Sequence, residues 1–325
     1  MTAFSQDEVR NLAIGALLVA LAALLPLFDQ GFYLSISVNI MLYAALCTAW
    51  SLFSGPTHYV SLATAAFYGL GAYSVGLGID ILPYPVLLGI AALAGAAMAG
   101  LVGAATLRIS GVYFVIFTFG LAEFVRQVVT WTQTKVASAM GLYVFTDFTE
   151  EHIYWMLLAL TATIFLAGFL IARSRLGFAM TIIGNDETVA RHVGIDTAGA
   201  KILLFMISGA FIAVAGAITA PRYTYIEPPS AFNPMISFLV VIMALLGGTK
   251  RLWGPLVGVI PFTIAMDFIS SRFPNHTSIV VGLAFLAVVY VIPHGVTGLI
   301  ETTREKLRKR AEPVVAETPA ARPLR

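Results

Sequence analysis

RSRLGFAMTIIGNDETVARHVGIDTAGAK, residues 173–201, is the one long polar interruption with a helix pattern among the apolar runs of this chain. Asn185 and Asp186 are N-cap candidates, because a short side-chain oxygen accepts a hydrogen bond from a free backbone N–H of the first turn. Asp186 and Glu187 put negative charge at the positive end of the helix dipole, and Arg191 and His192 put polar or basic groups at the negative end. Gly194 supplies a left-handed stop. The spacing predicts a short capped helix over 186–193. Val189 and Val193 would lie on one side of it, which suits either a helix that presses on a partner or one that closes a loop.

Working outward, the rest of the chain is apolar. Of 325 residues, 59% are hydrophobic and 11% are charged, against roughly 25% charged in soluble domains. Such a composition excludes a soluble globule and indicates an all-α polytopic membrane protein. A bilayer-spanning helix needs about 20 mostly apolar residues. Segments of that kind lie near 11–28, 35–54, 58–80, 83–106, 112–131, 152–172, 200–221, 234–247, 253–272 and 277–293. They predict about ten transmembrane segments. The segment at 234–247 is short, and the third begins directly after the Gly55–Pro56 break. Short or broken segments must satisfy their freed backbone groups inside the protein or in a water-filled cavity. The domain division is a single membrane domain over 1–301 and a tail over 302–325, basic at first and then disordered in composition.

Charge sets the orientation, because Lys- and Arg-rich loops stay cytoplasmic. With both termini cytoplasmic, Arg10, Arg108, Arg173, Arg175, Arg191, Lys201, Lys250, Arg251 and the basic tail fall inside. Only Arg126, Lys135, Arg222 and Arg272 fall at the outer end. The first apolar run has Asp7 and Glu8 beside Arg10, so it reads as a retained span rather than a secretory signal. The basic tail suits the anionic lipids of the inner leaflet.

Small residues mark close helix packing in lipid. Ala91, Gly95, Ala99 and Gly103 form one such stripe, Gly209, Ala213 and Ala217 a second, and 65–76 holds a third. Ionisable residues within spans are costly and stand out. Glu123 and Arg126, three apart on the fifth span, predict an intramembrane ion pair that ties helices together. Ser61, Phe67, Tyr73 and Glu123 are candidate lining residues of a translocation pathway. There is no GxxxxGK[ST] loop, no HExxH, and a single cysteine, Cys47. No catalytic residue, metal site or nucleic-acid-binding pattern is therefore nominated.

The stretches GPTHYVSLATAAFYGLGAYSVGL (55–77), LRISGVYFVIFTFGLAEFVRQVV (107–129), 174–218, GGTKRLWGPLVGV (247–259) and IPHGVTGLI (292–300) resemble, in order, the signatures of the branched-chain amino-acid ABC permease family. The 107–129 and 174–218 stretches resemble its LivM-type subunit more than its LivH-type partner. The resemblance implies a type II-like ABC importer permease in the bacterial inner membrane. It implies a second, LivH-type permease subunit, two ATP-binding cassette subunits that carry ATP and Mg, and a periplasmic substrate-binding protein. The 173–201 loop would then be the coupling loop, with Asn185, Asp186, Glu187, Val189, Arg191, His192 and Gly194 as its ATPase-coupling residues. The sequence departs from the family pattern at His58, Tyr59, Ala63 and Thr64, over 135–142, and at Thr249, Lys250 and Arg251. Leucine, isoleucine and valine are the default substrates, and urea, short amides or aromatic acids are alternatives. A stand-alone secondary carrier is the rival class, and it would need coupling-ion ligands near the midplane.

Overall fold

The computed structural model describes residues 31–107, 111–135, 141–249 and 251–291, with a few positions between 19 and 26. The expected first span near 11–28 falls mostly outside these residues, and the tail over 302–325 wholly so. The helices are α1 (Phe32–Thr57), α2 (Thr64–Gly78), α3 (Tyr84–Thr106), α4 (Val112–Lys135), α5 (Glu150–Arg173), α6 (Arg175–Asn185), α7 (Glu187–His192), α8 (Thr197–Thr219), α9 (Pro228–Ala231), α10 (Pro234–Gly247), α11 (Gly254–Arg272) and α12 (Thr277–Val291). Two short strands, β1 (Leu142–Tyr143) and β2 (Tyr225–Ile226), pair antiparallel.

Seven helical stretches among the described residues are long and apolar enough to cross a membrane. The expected count of ten also includes the first span, which lies mostly outside the described residues, and two segments below spanning length among them: α2, with 15 residues, about 22 Å at the 1.5 Å rise of a helix, and α12, which runs to the last described residue. α10 has 14 residues and reaches spanning length only together with α9.

The core is built where small residues let backbones meet. A Cβ on Gly95 would lie 2.5 Å from the carbonyl oxygen of Gly209, and one on Gly209 would lie 2.7 Å from Cβ of Ala99. The stripes of α3 and α8 therefore face each other. α2 packs on the other flank of α8. A Cβ on Gly71 would stand 1.7 Å from the carbonyl oxygen of Ala213, and one on Gly216 would stand 2.0 Å from that of Tyr68. Helix association in lipid has little hydrophobic drive, so close van der Waals contact supplies much of the cohesion. Substituting these glycines would force the three helices apart.

The break before α2 is displaced from where the sequence places it. Pro56 lies inside α1, and the helix ends two residues later at His58, whose φ is +58°. His58 N–H still donates to the Ser54 carbonyl at 3.0 Å, and residues 59–62 then run without helical hydrogen bonds. Side chains of three other segments take over their backbone groups. Leu62 N–H donates to Thr118 Oγ1 on α4 at 3.1 Å. Ser237 Oγ on α10 donates to the Leu62 carbonyl at 2.8 Å and accepts from Ala65 N–H at 2.9 Å. Trp50 Nε1 on α1 donates to the Ser61 carbonyl at 2.8 Å. Irregular backbone within a membrane bundle persists only where protein satisfies it in this way.

The ends of the bundle are distinct. One end gathers the α1 terminus, α6, α7 and the 247–254 turn, where Gly55 approaches the Thr249 carbonyl and Gly184 the Pro56 carbonyl. The other end holds the β1–β2 pair and Arg222. That guanidinium donates to Glu150 at 3.0 Å, Asn39 at 2.6 Å and Ser35 at 2.7 Å, tying the turn after α8 to α5 and α1.

Candidate functional site

The 173–201 stretch forms two helices where the sequence predicts one. α6 ends at Asn185, so Asn185 is the last residue of one helix and not the cap of the next. Asp186 is the cap of α7, and its Oδ1 accepts from Thr188 N–H at 2.7 Å and Val189 N–H at 3.2 Å. The other end closes as a left-handed stop. Gly194 has φ +87°, its N–H donates to the Arg191 carbonyl at 3.0 Å, and Ile195 N–H reaches the Ala190 carbonyl at 3.0 Å. A residue with a Cβ is strained at such a φ, which is why glycine suits this position. Asp196 then caps α8 by accepting from Gly199 N–H at 3.0 Å.

α7 has one inward and one outward face. Ala190 is fully buried, whereas Val189 and Val193 are 51% and 68% exposed. Arg191 is mostly exposed, and His192 Nδ1 stays on its own helix, 2.7 Å from the Thr188 carbonyl. The outward face thus offers two apolar side chains, a guanidinium and an imidazole.

Glu187 turns the other way, toward a group that sequence reasoning placed in the cytoplasmic loop. Lys201 is 1% exposed. Its Nζ donates to Glu187 Oε1 at 2.8 Å and to Tyr59 Oη at 3.3 Å, and it lies 4.7 Å from the centre of the Tyr59 ring. Tyr59 Oη donates to Glu187 Oε2 at 3.4 Å. Arg191 donates to Glu187 Oε1 at 2.7 Å, and Thr197 Oγ1 lies 3.4 Å from that oxygen. Burial pushes the Glu187 carboxyl up, but the bonds and charges of Lys201 and Arg191 outweigh it and hold it below the ordinary carboxylate value. A buried ammonium is stable only when paired and hydrogen-bonded. The cluster therefore fixes α7 to the start of α8 and to the 58–63 segment at one point. Sequence reasoning missed Lys201 and Tyr59. The one available signal was the departure from the family pattern at Tyr59.

The remaining candidates separate. Ser61 is buried and its Oγ accepts from Ala63 N–H at 3.2 Å, within its own segment. Phe67 is buried with its ring centre 5.4 Å from that of Phe205. Neither faces open space. Tyr73 and Gln133 are joined by a 2.7 Å hydrogen bond and line an open cavity of about 320 Å³ between α2 and α4, with Leu70, Leu77, Val128 and Thr132. Glu123 and Arg126 pair, Arg126 Nε donating to Glu123 Oε2 at 2.8 Å. Both sit on α4, so the pair does not tie helices of this chain together. No group of His, Cys, Asp and Glu able to hold a metal occurs among the described residues.

Comparison with known proteins agrees with this architecture. Residues 32–289 match the model of a family described as branched-chain amino acid transport system / permease component. Over 333 aligned residues, 92% of this chain and 77% of the relative, the sequence is 25% identical to the high-affinity branched-chain amino acid transport system permease protein LivM of Escherichia coli (strain K12). The LivH permease protein of the same system and strain is 31% identical over 160 residues, 48% of this chain and 50% of its own length. The L-arabinose transport system permease protein AraH of that strain is 29% identical over 114 residues, 35% of this chain and 34% of its own.

Proposed function

Since the chain belongs to the branched-chain amino acid transport permease family, we propose that it is the LivM-type membrane subunit of an ABC importer for branched-chain amino acids. In this reading it pairs with a LivH-type permease and rests on two ATP-binding cassette subunits, which hold ATP and Mg. A periplasmic binding protein delivers the solute. The chain spans the inner membrane about ten times with both termini in the cytoplasm, and the end that carries α7 is cytoplasmic.

The observation that carries the reading is the construction of α7. A six-residue helix is too short to be stable alone, yet both its ends are capped and it is anchored by a buried ion pair. Its outward valines are left for a partner, beside the exposed Arg191 and His192, which are hydrogen-bonded within the loop. That design transmits a push: a nucleotide-driven movement of the ATPase against Val189 and Val193 would reach Lys201 on α8 and Tyr59 before α2. The chain has no GxxxxGK[ST] loop, so in this reading ATP is hydrolysed on the partner subunits.

The test is co-expression with the second permease and the ATPases, purification through a tag on this chain, and ATP hydrolysis and uptake assays in proteoliposomes. Wild-type chain should bring down the ATPase, and Arg191→Glu should release or uncouple it. Solute movement by this chain alone along an ion gradient would refute the proposal.

A further inference from the structure

α4 is the least buried of the membrane-spanning stretches. Its inward residues, Phe114, Thr118, Ala122, Val125 and Gln133, follow one stripe. The opposite stripe, Tyr113, Phe117, Gly120, Phe124, Gln127 and Trp131, is exposed throughout. An exposed apolar stripe alone would simply face lipid. Two features of this one do not suit lipid.

The first is the polar cluster at mid-helix. Glu123 and Arg126 are 34% and 27% exposed, and Gln127 Nε2 donates to Glu123 Oε1 at 3.0 Å. The carboxylate is held by α4's own side chains. A guanidinium has five N–H donors, and one carboxylate cannot take them all. Ionisable groups within a spanning helix characteristically face other helices or water rather than hydrocarbon.

The second is Gly120. It lies in the middle of the exposed stripe, and nothing stands within 4 Å of where its Cβ would be. Glycine weakens a helix interior by roughly 1 kcal/mol relative to alanine, and no contact among the described residues calls for it. Gly89 on α3 and Gly282 on α12 are equally open, whereas Gly71, Gly95, Gly209 and Gly216 each meet a backbone of the same chain; Gly120 differs from the other two open glycines in lying one turn from an ion pair. A bare glycine in a spanning helix fits the close approach of another helix.

We infer that the Gly120–Glu123–Gln127 face of α4 is the contact surface for a transmembrane helix of the second permease subunit. That helix would bring a small residue against Gly120 and a hydrogen-bonding side chain against the Glu123–Arg126–Gln127 cluster. The same contact would wall the open side of the Tyr73–Gln133 cavity, which Val128 and Thr132 of α4 also line. The inference rests on the importer reading, because it requires a second permease.

The experiment compares three forms of the tagged chain, each co-expressed with the LivH-type permease and the ATPases. The wild-type complex establishes that the second permease is recovered, and its absence would sink the importer reading itself. Gly120→Leu should leave the yield and monodispersity of this chain unchanged, since the position is open. It should lower recovery of the second permease at least ten-fold. A photo-crosslinking residue in place of Phe124 should label the second permease in membranes, and one in place of Leu101, exposed on α3, should not. If the wild-type complex forms but Gly120→Leu retains the second permease fully, the inference is overturned. Labelling from position 124 that reaches only lipid, or only a second copy of this chain, overturns it as well.

Discussion

Replacing Lys201 by methionine tests how α7 is held. The substitution keeps an unbranched apolar stem of similar reach and removes the ammonium, so packing changes little. Removing one partner of a buried ion pair costs roughly 3–5 kcal/mol. Two features reduce that figure here: the Glu187 side chain is 25% exposed and can hydrate, and Arg191 remains 2.7 Å away. A local cost of about 2 kcal/mol is the reasonable expectation, and at 1.4 kcal/mol per factor of ten it corresponds to a roughly 30-fold rise in local opening. Hydrogen–deuterium exchange reads this directly, because amides report the free energy of the opening that exposes them. Amides of 188–196 should exchange about 30-fold faster in Lys201→Met, while those of α3 and the core of α8 should not change. Adding Glu187→Gln should recover part of the loss, since no carboxylate is then left half-buried. In the assembled complex, ATP hydrolysis should persist while solute moved per ATP falls. Unchanged exchange over 188–196, or an equal rise throughout the protein, would refute the assignment of Lys201 as the anchor of α7.

Other outcomes follow from the same geometry. The Glu187 carboxyl is held below its ordinary value, so the anchor's contribution is present in full above the unfolded value of 4.5 and is lost as pH falls toward the depressed folded value. Protection of 188–196 should be flat from pH 8 to pH 5, as measured by pulsed exchange, and should fall only in more acidic solution. Ser237→Ala removes the donor to the Leu62 carbonyl and the acceptor of Ala65 N–H, leaving two buried groups unpaired. At roughly 1–3 kcal/mol for each such group, a large drop in thermal midpoint in detergent is expected. Gly71→Ala would place a Cβ 1.7 Å from the Ala213 carbonyl oxygen, and since backbone must move, folded yield by size-exclusion chromatography should fall sharply. Gly120→Ala, at an open position, should not lower folded yield in the same assay of the isolated chain and should raise helix stability by roughly 1 kcal/mol.

The sequence by itself determined that the chain is a helical membrane protein, where most helices lie, and that α7 is capped by Asp186 and stopped by Gly194. Those features depend on composition and on contacts within about four residues, which a linear pattern records. It also identified the small-residue stripes of α3 and α8, though not that they face each other. The tertiary structure alone decided the rest. Lys201 reads as an ordinary loop cation, and only folding brings it to Glu187, 14 positions away, and to Tyr59, 142 positions away. The 58–63 segment reads as the start of a span because it is apolar. It is unwound because Thr118, Ser237 and Trp50, from three other helices, supply the hydrogen bonds that a helix would otherwise supply. Glu123 and Arg126 read from their spacing as a pair on one span, and they do pair; that they are partly exposed, on a side that no described helix covers fully, only the packing shows. Side-chain periodicity tells which residues share a face; which neighbour covers that face depends on how the helices pack, and no spacing along the chain encodes it.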